Sequence, residues 1–125
     1  MDCIFCDLMK SGEKIIDKDE LCSVFYNTFP ISKGHILIIP NRHVADYFDL
    51  TLEEANAIQK MLFKHKELLS AEDETITAFN VGVNAGVAAG QTVYHVHMHL
   101  IPRREGDVAN PRGGLIEGER PKRSV

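Results

Sequence analysis

One heptapeptide constrains this chain more than any other: His95-Val96-His97-Met98-His99-Leu100-Ile101, in which histidine alternates with an apolar residue before two apolar residues close the run. Alternation with a period of two is the pattern of a strand with unlike faces. A strand over 94–101 places His95, His97 and His99 on one face and Tyr94, Val96, Met98 and Leu100 on the other. At a rise of about 3.3 Å per residue, neighbouring imidazoles start about 6 to 7 Å apart, within reach of one phosphate or one metal ion.

Three chemistries fit such a row. Strand histidines can be purely structural, satisfied by hydrogen bonds, which is the ordinary reading of a single histidine. His-x-His on a strand can supply two ligands to a catalytic zinc. A neutral imidazole can also attack phosphorus and form a covalent phosphohistidine, with its neighbours moving protons near neutral pH.

The cysteines bear on this choice. The chain has three, Cys3, Cys6 and Cys22, and an odd number argues against a disulfide framework. Cys3-Ile4-Phe5-Cys6 has the spacing of two thiolates on one zinc, and two histidines elsewhere would complete a tetrahedral site. His43 and one histidine of the row are candidates; an incidental pair is the alternative. A thioredoxin-like role is disfavoured because no strand precedes the pair. Cys22 reads as a small core residue.

Around these residues, the expected elements are a short helix ending at Ser11-Gly12, strands at 15–18 and 21–27, and a Pro/Gly loop at 28–34. A buried strand follows in His35-Ile36-Leu37-Ile38-Ile39, stopped by Pro40. Thr51-x-x-Glu54 is a capping box, and Ala55, Ile58, Leu62, His65 and Leu69 recur at helical spacing, predicting one long helix over 52–70. Glu53, Glu54, Lys60, Lys64, Lys66 and Glu67 read as its solvated side, and His65 as packing. A strand is expected at 75–81 and a glycine-rich loop at 82–90, where backbone can approach a ligand. Strands largely grouped, with helix to one side, make an α+β fold. With 125 residues, one domain is expected. From 108 to 125 the composition is that of an irregular tail.

The net charge of -4 gives no footprint for long nucleic acids, while a small anion could still be held by backbone N–H groups. No secretory signal and no membrane-length apolar run is evident, so a cytoplasmic location without membrane attachment is expected.

The heptapeptide resembles the signature of the histidine triad (HIT) superfamily at every place, and Ala89-Gly90-Gln91-Thr92-Val93-Tyr94 resembles the family's approach to it. Gly34-His35 through Pro40-Asn41-Arg42-His43 and Asn80-Val81-Gly82-Val83-Asn84-Ala85-Gly86 are similar to two further family segments. The resemblance covers most of residues 3 to 107, so 1–107 is assigned as a HIT domain with an N-terminal zinc-binding segment. It implies an α+β fold, an antiparallel sheet with one long helix, and a homodimer that joins two sheets into one of about ten strands.

For the site, the resemblance implies that His97 is the nucleophile, that His99 contacts the α-phosphate, and that His35 lies beside them. Gly90, Gln91 and Thr92 would sit near the phosphate and leaving group, and Asn27 and Asn84 near ribose and phosphate. Cys3, Cys6, His43 and His95 would hold a structural zinc. The activity implied is hydrolysis or transfer at the α-phosphate of a purine nucleotide, of the nucleoside phosphoramidate type. Pro102-Arg103-Arg104-Glu105-Gly106-Asp107 instead resembles the dinucleoside polyphosphate hydrolases. A nucleotide-binding interaction module with incidental catalysis is a further reading.

Overall fold

The computed structural model describes residues 3–109 and 112. Helix α1 (Ile4–Ser11) is capped by Cys3, whose sulfur accepts from the Cys6 N–H, and it ends at Gly12 with φ of 72°. That left-handed turn is one that glycine adopts without steric cost. Strands β1 (Asp17–Lys18), β2 (Cys22–Tyr26), β3 (Ile36–Pro40), β4 (Ala78–Gly82) and β5 (Met98–Arg103) form one sheet in the order β1-β2-β3-β5-β4, every neighbour antiparallel. The expected α+β architecture is therefore present. The expected irregular tail lies, beyond 109 and apart from 112, outside the described residues.

The long helix α2 (Leu52–Glu72) begins where its capping box requires, with the Thr51 side chain accepting from the Glu54 N–H and the Glu54 carboxylate accepting from the Thr51 N–H. Satisfying two helix-end donors at once is worth about 1 kcal/mol. The helix packs Ala57, Ile58, Met61 and Leu69 against Cys22, Val24, Ile36, Ile38, Met98 and Leu100. Strand alternation turns Phe25, Leu37 and Ile39 to the other face, where Cys3 and Phe5 cover them. The site lies on this second face.

The last strand differs from its expected span: it starts at Met98, so of the three histidines only His99 belongs to a strand. The cause is Pro40 at the end of β3. It has no N–H to continue the ladder, its carbonyl instead accepts from His95 Nε2 at 2.8 Å, and the Val96 N–H turns away to the Val44 carbonyl at 2.8 Å. Strand β4 starts at Ala78 rather than 75 because Asp73 accepts from the Thr75 N–H and side chain, bending the chain there. Two short 3-10 turns, Tyr47–Asp49 and Val87–Ala89, carry no sequence pattern that announces them.

Glu54 is not on the solvated side of α2. It is 4% exposed and paired through both oxygens with Arg42, at 2.9 and 2.8 Å. Arg42 first, then the Thr51 bonds, hold its carboxyl down at about 2. The pair ties the helix start to the segment carrying His43. Buried His65 meets Asp17 of β1 at 2.8 Å, so its packing role includes a polar bond across the fold. Among the described residues, no helix is long and apolar enough to cross a membrane.

Candidate functional site

Five histidines and two cysteines gather on the face opposite α2, in two adjoining groups. In the first, the ligand atoms of Cys3, Cys6, His43 and His95 all lie within 4.8 Å of one another. Cys3 Sγ is 3.3 Å and Cys6 Sγ 3.6 Å from His95 Nδ1, and Cys6 Sγ is 3.3 Å from His43 Nδ1. A tetrahedral ion with bonds of about 2.3 Å to sulfur and about 2.0 Å to nitrogen needs sulfur and nitrogen some ~3.5 Å apart, so the set fits zinc.

Protonation supports that fit. His95 Nε2 faces the Pro40 carbonyl and must donate to it, which leaves the Nδ1 lone pair aimed at the two sulfurs. Burial lowers the His95 pKa and keeps the ring neutral, as a ligand must be. Burial and the neighbouring Cys3 push the Cys6 thiol up, so two thiolates this close are favourable with a cation between them. The four residues thus form a Cys2His2 cluster with the geometry to hold a metal ion.

The second group holds His97, His99 and His35, each 1% exposed. His97 Nδ1 lies 2.8 Å from the carbonyl oxygen of His95. A carbonyl only accepts, so the proton is on Nδ1 and the lone pair of the neutral ring is on Nε2. The Phe5 ring packs on His97 with centroids 5.0 Å apart, holding the imidazole from the α1 side. Nothing in the sequence pattern singled out Phe5 beyond its place between the two cysteines.

His35 and His99 are joined by a bond of 2.8 Å between His35 Nε2 and His99 Nδ1. The Ile31 backbone N–H reaches His35 Nδ1 at 3.0 Å. Burial first, and Arg103 second, lower the His35 pKa to about 4, so it is neutral at physiological pH. Asn27 lies close by, its Oδ1 accepting from the Phe29 N–H at 3.0 Å and its Nδ2 3.3 Å from His35 Nε2.

The glycine-rich loop borders this group, since Gly82 pairs with His99 in the sheet. Asn84 is buried and its Nδ2 has no hydrogen-bond partner, which costs free energy until a ligand or water supplies an acceptor. Gly90 has φ of 94° and brings its backbone beside that amide: a Cβ there would stand 3.8 Å from Asn84 Nδ2. The Gln91 side chain is committed within the fold, accepting from the Gly86 N–H at 2.8 Å and donating to the Ala45 and Val93 carbonyls at 2.7 and 3.1 Å. It shapes the loop. Thr92 is exposed at the edge of the same segment.

Comparison with known proteins agrees with this geometry. The family model described as the HIT domain matches residues 10–106. The chain is 38% identical over 96 residues to the asymmetrical bis(5'-nucleosyl)-tetraphosphatase of Schizosaccharomyces pombe, covering 77% of this chain and 52% of that protein. It is 36% identical over 112 residues to an adenylylsulfatase of Arabidopsis thaliana, covering 85% and 54%. The chain thus spans about half the length of these two curated relatives. Among solved structures, a Zn-bound histidine triad family protein from Mycobacterium smegmatis superposes with a TM-score of 0.78 at 30% identity, covering 86% of this chain and 78% of that one.

Proposed function

The chain belongs to the HIT family, and on that premise we propose that it is a nucleotide hydrolase or transferase that attacks the α-phosphate of purine nucleotides through a covalent nucleotidyl-histidine on His97. The observation that carries this reading is the bond from His97 Nδ1 to the His95 carbonyl, which leaves the Nε2 lone pair to act as nucleophile. Nε2 bonds to phosphorus as the bond to the leaving group breaks, and the leaving group takes up a proton. Water then attacks the same phosphorus, the P–N bond to His97 breaks, and the nucleoside monophosphate departs. His99 contacts the α-phosphate, and His35 holds His99 in place. Asn27, Asn84, Gly90, Gln91 and Thr92 border the bound nucleotide, with the unpartnered Asn84 amide the best-founded donor among them.

Cys3, Cys6, His43 and His95 hold a structural zinc in this reading. When bound, the ion supplies a rigid tetrahedral anchor. The residues themselves convert that anchor into catalytic geometry, because the ring of His95 is gripped on both nitrogens while its carbonyl orients His97.

The leaving group divides the family reading. Phosphoramidates, with an amine leaving group, are our first choice. Hydrolysis of dinucleoside polyphosphates is the second, favoured by the fission-yeast relative named for that reaction. A nucleotide-binding module is the non-enzymatic alternative. A homodimer is part of the proposal, supported by the edge strand β4 with its exposed Val81 and by a groove of about 480 Å³ between it and α2, lined by Leu62, Phe63 and Phe79. Pairing β4 with its copy gives the ten-stranded sheet, which light scattering in solution tests. We also place the protein in the cytoplasm, in keeping with the lack of a membrane-length helix among the described residues.

The test is a panel of adenosine and guanosine phosphoramidates, dinucleoside polyphosphates and nucleotide sugars, run with the wild type and His97→Ala. Turnover of one class by the wild type and none by the variant is expected. Nucleotide binding without any turnover favours the module, and undiminished turnover by His97→Ala removes it as nucleophile.

A further inference from the structure

Arg104 lies in the segment after the last strand, and its guanidinium is held through all three of its nitrogens. It meets the Asp73 carboxylate at 2.9 Å, Thr75 Oγ1 at 3.1 Å, the Lys33 carbonyl at 3.1 Å and Ser32 Oγ at 3.3 Å. Ser32 in turn donates to the Pro102 carbonyl. A planar fork with five donors can hold several acceptors at fixed angles in a way an ammonium cannot. Its acceptors here include the outer rim of the turn that precedes His35.

That turn is closed on its inner side by two bonds. The His35 N–H donates to the Ser32 carbonyl at 3.1 Å, and the Ile31 N–H donates to His35 Nδ1 at 3.0 Å. Gly34 between them has φ of 94°, and a Cβ there would stand 3.3 Å from Pro102 Cγ. The turn therefore has little room to shift while Arg104 grips Ser32 and Lys33.

The direction of the bonds then fixes protons at a distance. A backbone N–H can only donate, so His35 Nδ1 accepts and the ring proton is on Nε2. His35 Nε2 must therefore donate across the 2.8 Å bond, and His99 Nδ1 must accept. The Asn27 Nδ2 contact at 3.3 Å is then a packing contact, since the proton of His35 Nε2 is spent on His99. A neutral His99 with an accepting Nδ1 carries its own proton on Nε2.

We propose that Arg104 is a positioning residue that fixes the tautomer of His99, by pinning the turn whose Ile31 N–H orients His35. His99 is thereby kept as an Nε2–H donor. Loss of the grip on Ser32 and Lys33 lets the turn rotate, frees His35 to exchange tautomers and makes His99 a mixture. The consequence for turnover rests on the reading that His99 contacts phosphate, whereas the tautomer itself does not.

The experiment separates the two. Long-range ¹H–¹⁵N correlation spectra of the histidine rings, recorded without nucleotide, report which nitrogen carries the proton. In the wild type, His35 and His99 are expected as single Nε2–H tautomers. Arg104→Lys keeps an ion pair with Asp73 but loses the fork; a mixed His99 signal is expected, with turnover reduced roughly 10- to 100-fold and KM little changed. Arg104→Gln carries the same test should the lysine variant fail to fold. An Nδ1–H tautomer of His99 in the wild type, or a single Nε2–H tautomer kept by a folded Arg104 variant, overturns the proposal. A tautomer shift in a protein that turns over none of the substrates upholds the relay and removes the catalytic reading instead.

Discussion

On the α2 face of the sheet, Ile36, Ile38, Met98 and Leu100 are fixed by shape and volume; one residue along, His35 just before β3 and His99 within β5 are fixed by bonds with direction. The first face tolerates any set of side chains that fills the space. The second depends on which atom of each ring carries the proton. His95, His97 and His99 share one motif yet do not share one protonation pattern: the Pro40 carbonyl fixes the His95 proton on Nε2, whereas the His95 carbonyl fixes the His97 proton on Nδ1. The repeat supplies three rings, and the surroundings assign the work.

If this contrast is right, substitutions on the two faces should separate activity from stability. The largest effect is expected from His97→Ala, with turnover falling at least ~1,000-fold while circular dichroism and metal content stay those of the wild type. Next comes Cys6→Ala, which removes a ligand from the cluster: loss of bound zinc by atomic absorption and a stability loss of roughly 4 kcal/mol in denaturant are expected. Zinc retained at one per chain in that variant would break the assignment of the cluster.

Ile38→Ala acts on the other face. Fully buried against α2, it is expected to cost about 3 kcal/mol by chemical denaturation while the activity per folded molecule stays within about twofold. A comparable loss of activity would show that the two faces are not separable. The smallest effect belongs to the helix start. The Glu54 carboxyl lies at about 2, below its usual 4.5, so its contribution is full above about pH 4.5 and is lost as the pH falls through about 2. The stability gap between the wild type and Glu54→Gln should be flat at neutral pH and close in that acid range, with zinc content unaffected at pH 7.

The same contrast explains what could be read from the sequence. Helix α2 starts at Leu52, as its capping box indicates, because the two bonds of the box connect residues three apart and need no distant partner. Strand alternation correctly set Met98 and Leu100 on the face opposite His99. It overextended β5, because Pro40, 55 residues from His95, decides where the ladder stops. Glu54 looked solvent-facing by helical spacing and is buried, since Arg42 reaches it from a loop. Spacing paired Cys3 with Cys6 and left His43 and one histidine of the row as candidates, but only the family resemblance singled out His95 and completed the set, for no local period relates residues 37 and 92 positions apart. Phe5 carried no signal beyond its place between the cysteines, and Arg104 none beyond its place in the 102–107 segment, because their importance lies in what they touch.

The central claim is that His97, and neither neighbour, takes the nucleotide. Rapid acid or denaturant quench of the enzyme during turnover of an adenosine phosphoramidate, followed by intact-mass and peptide mass spectrometry, tests it most directly. A nucleoside monophosphate mass on the peptide containing His97, bonded to that ring and absent from His97→Ala, is the expected result. Steady turnover with no adduct on any histidine, or an adduct on His95 or His99 in the wild type, would contradict it.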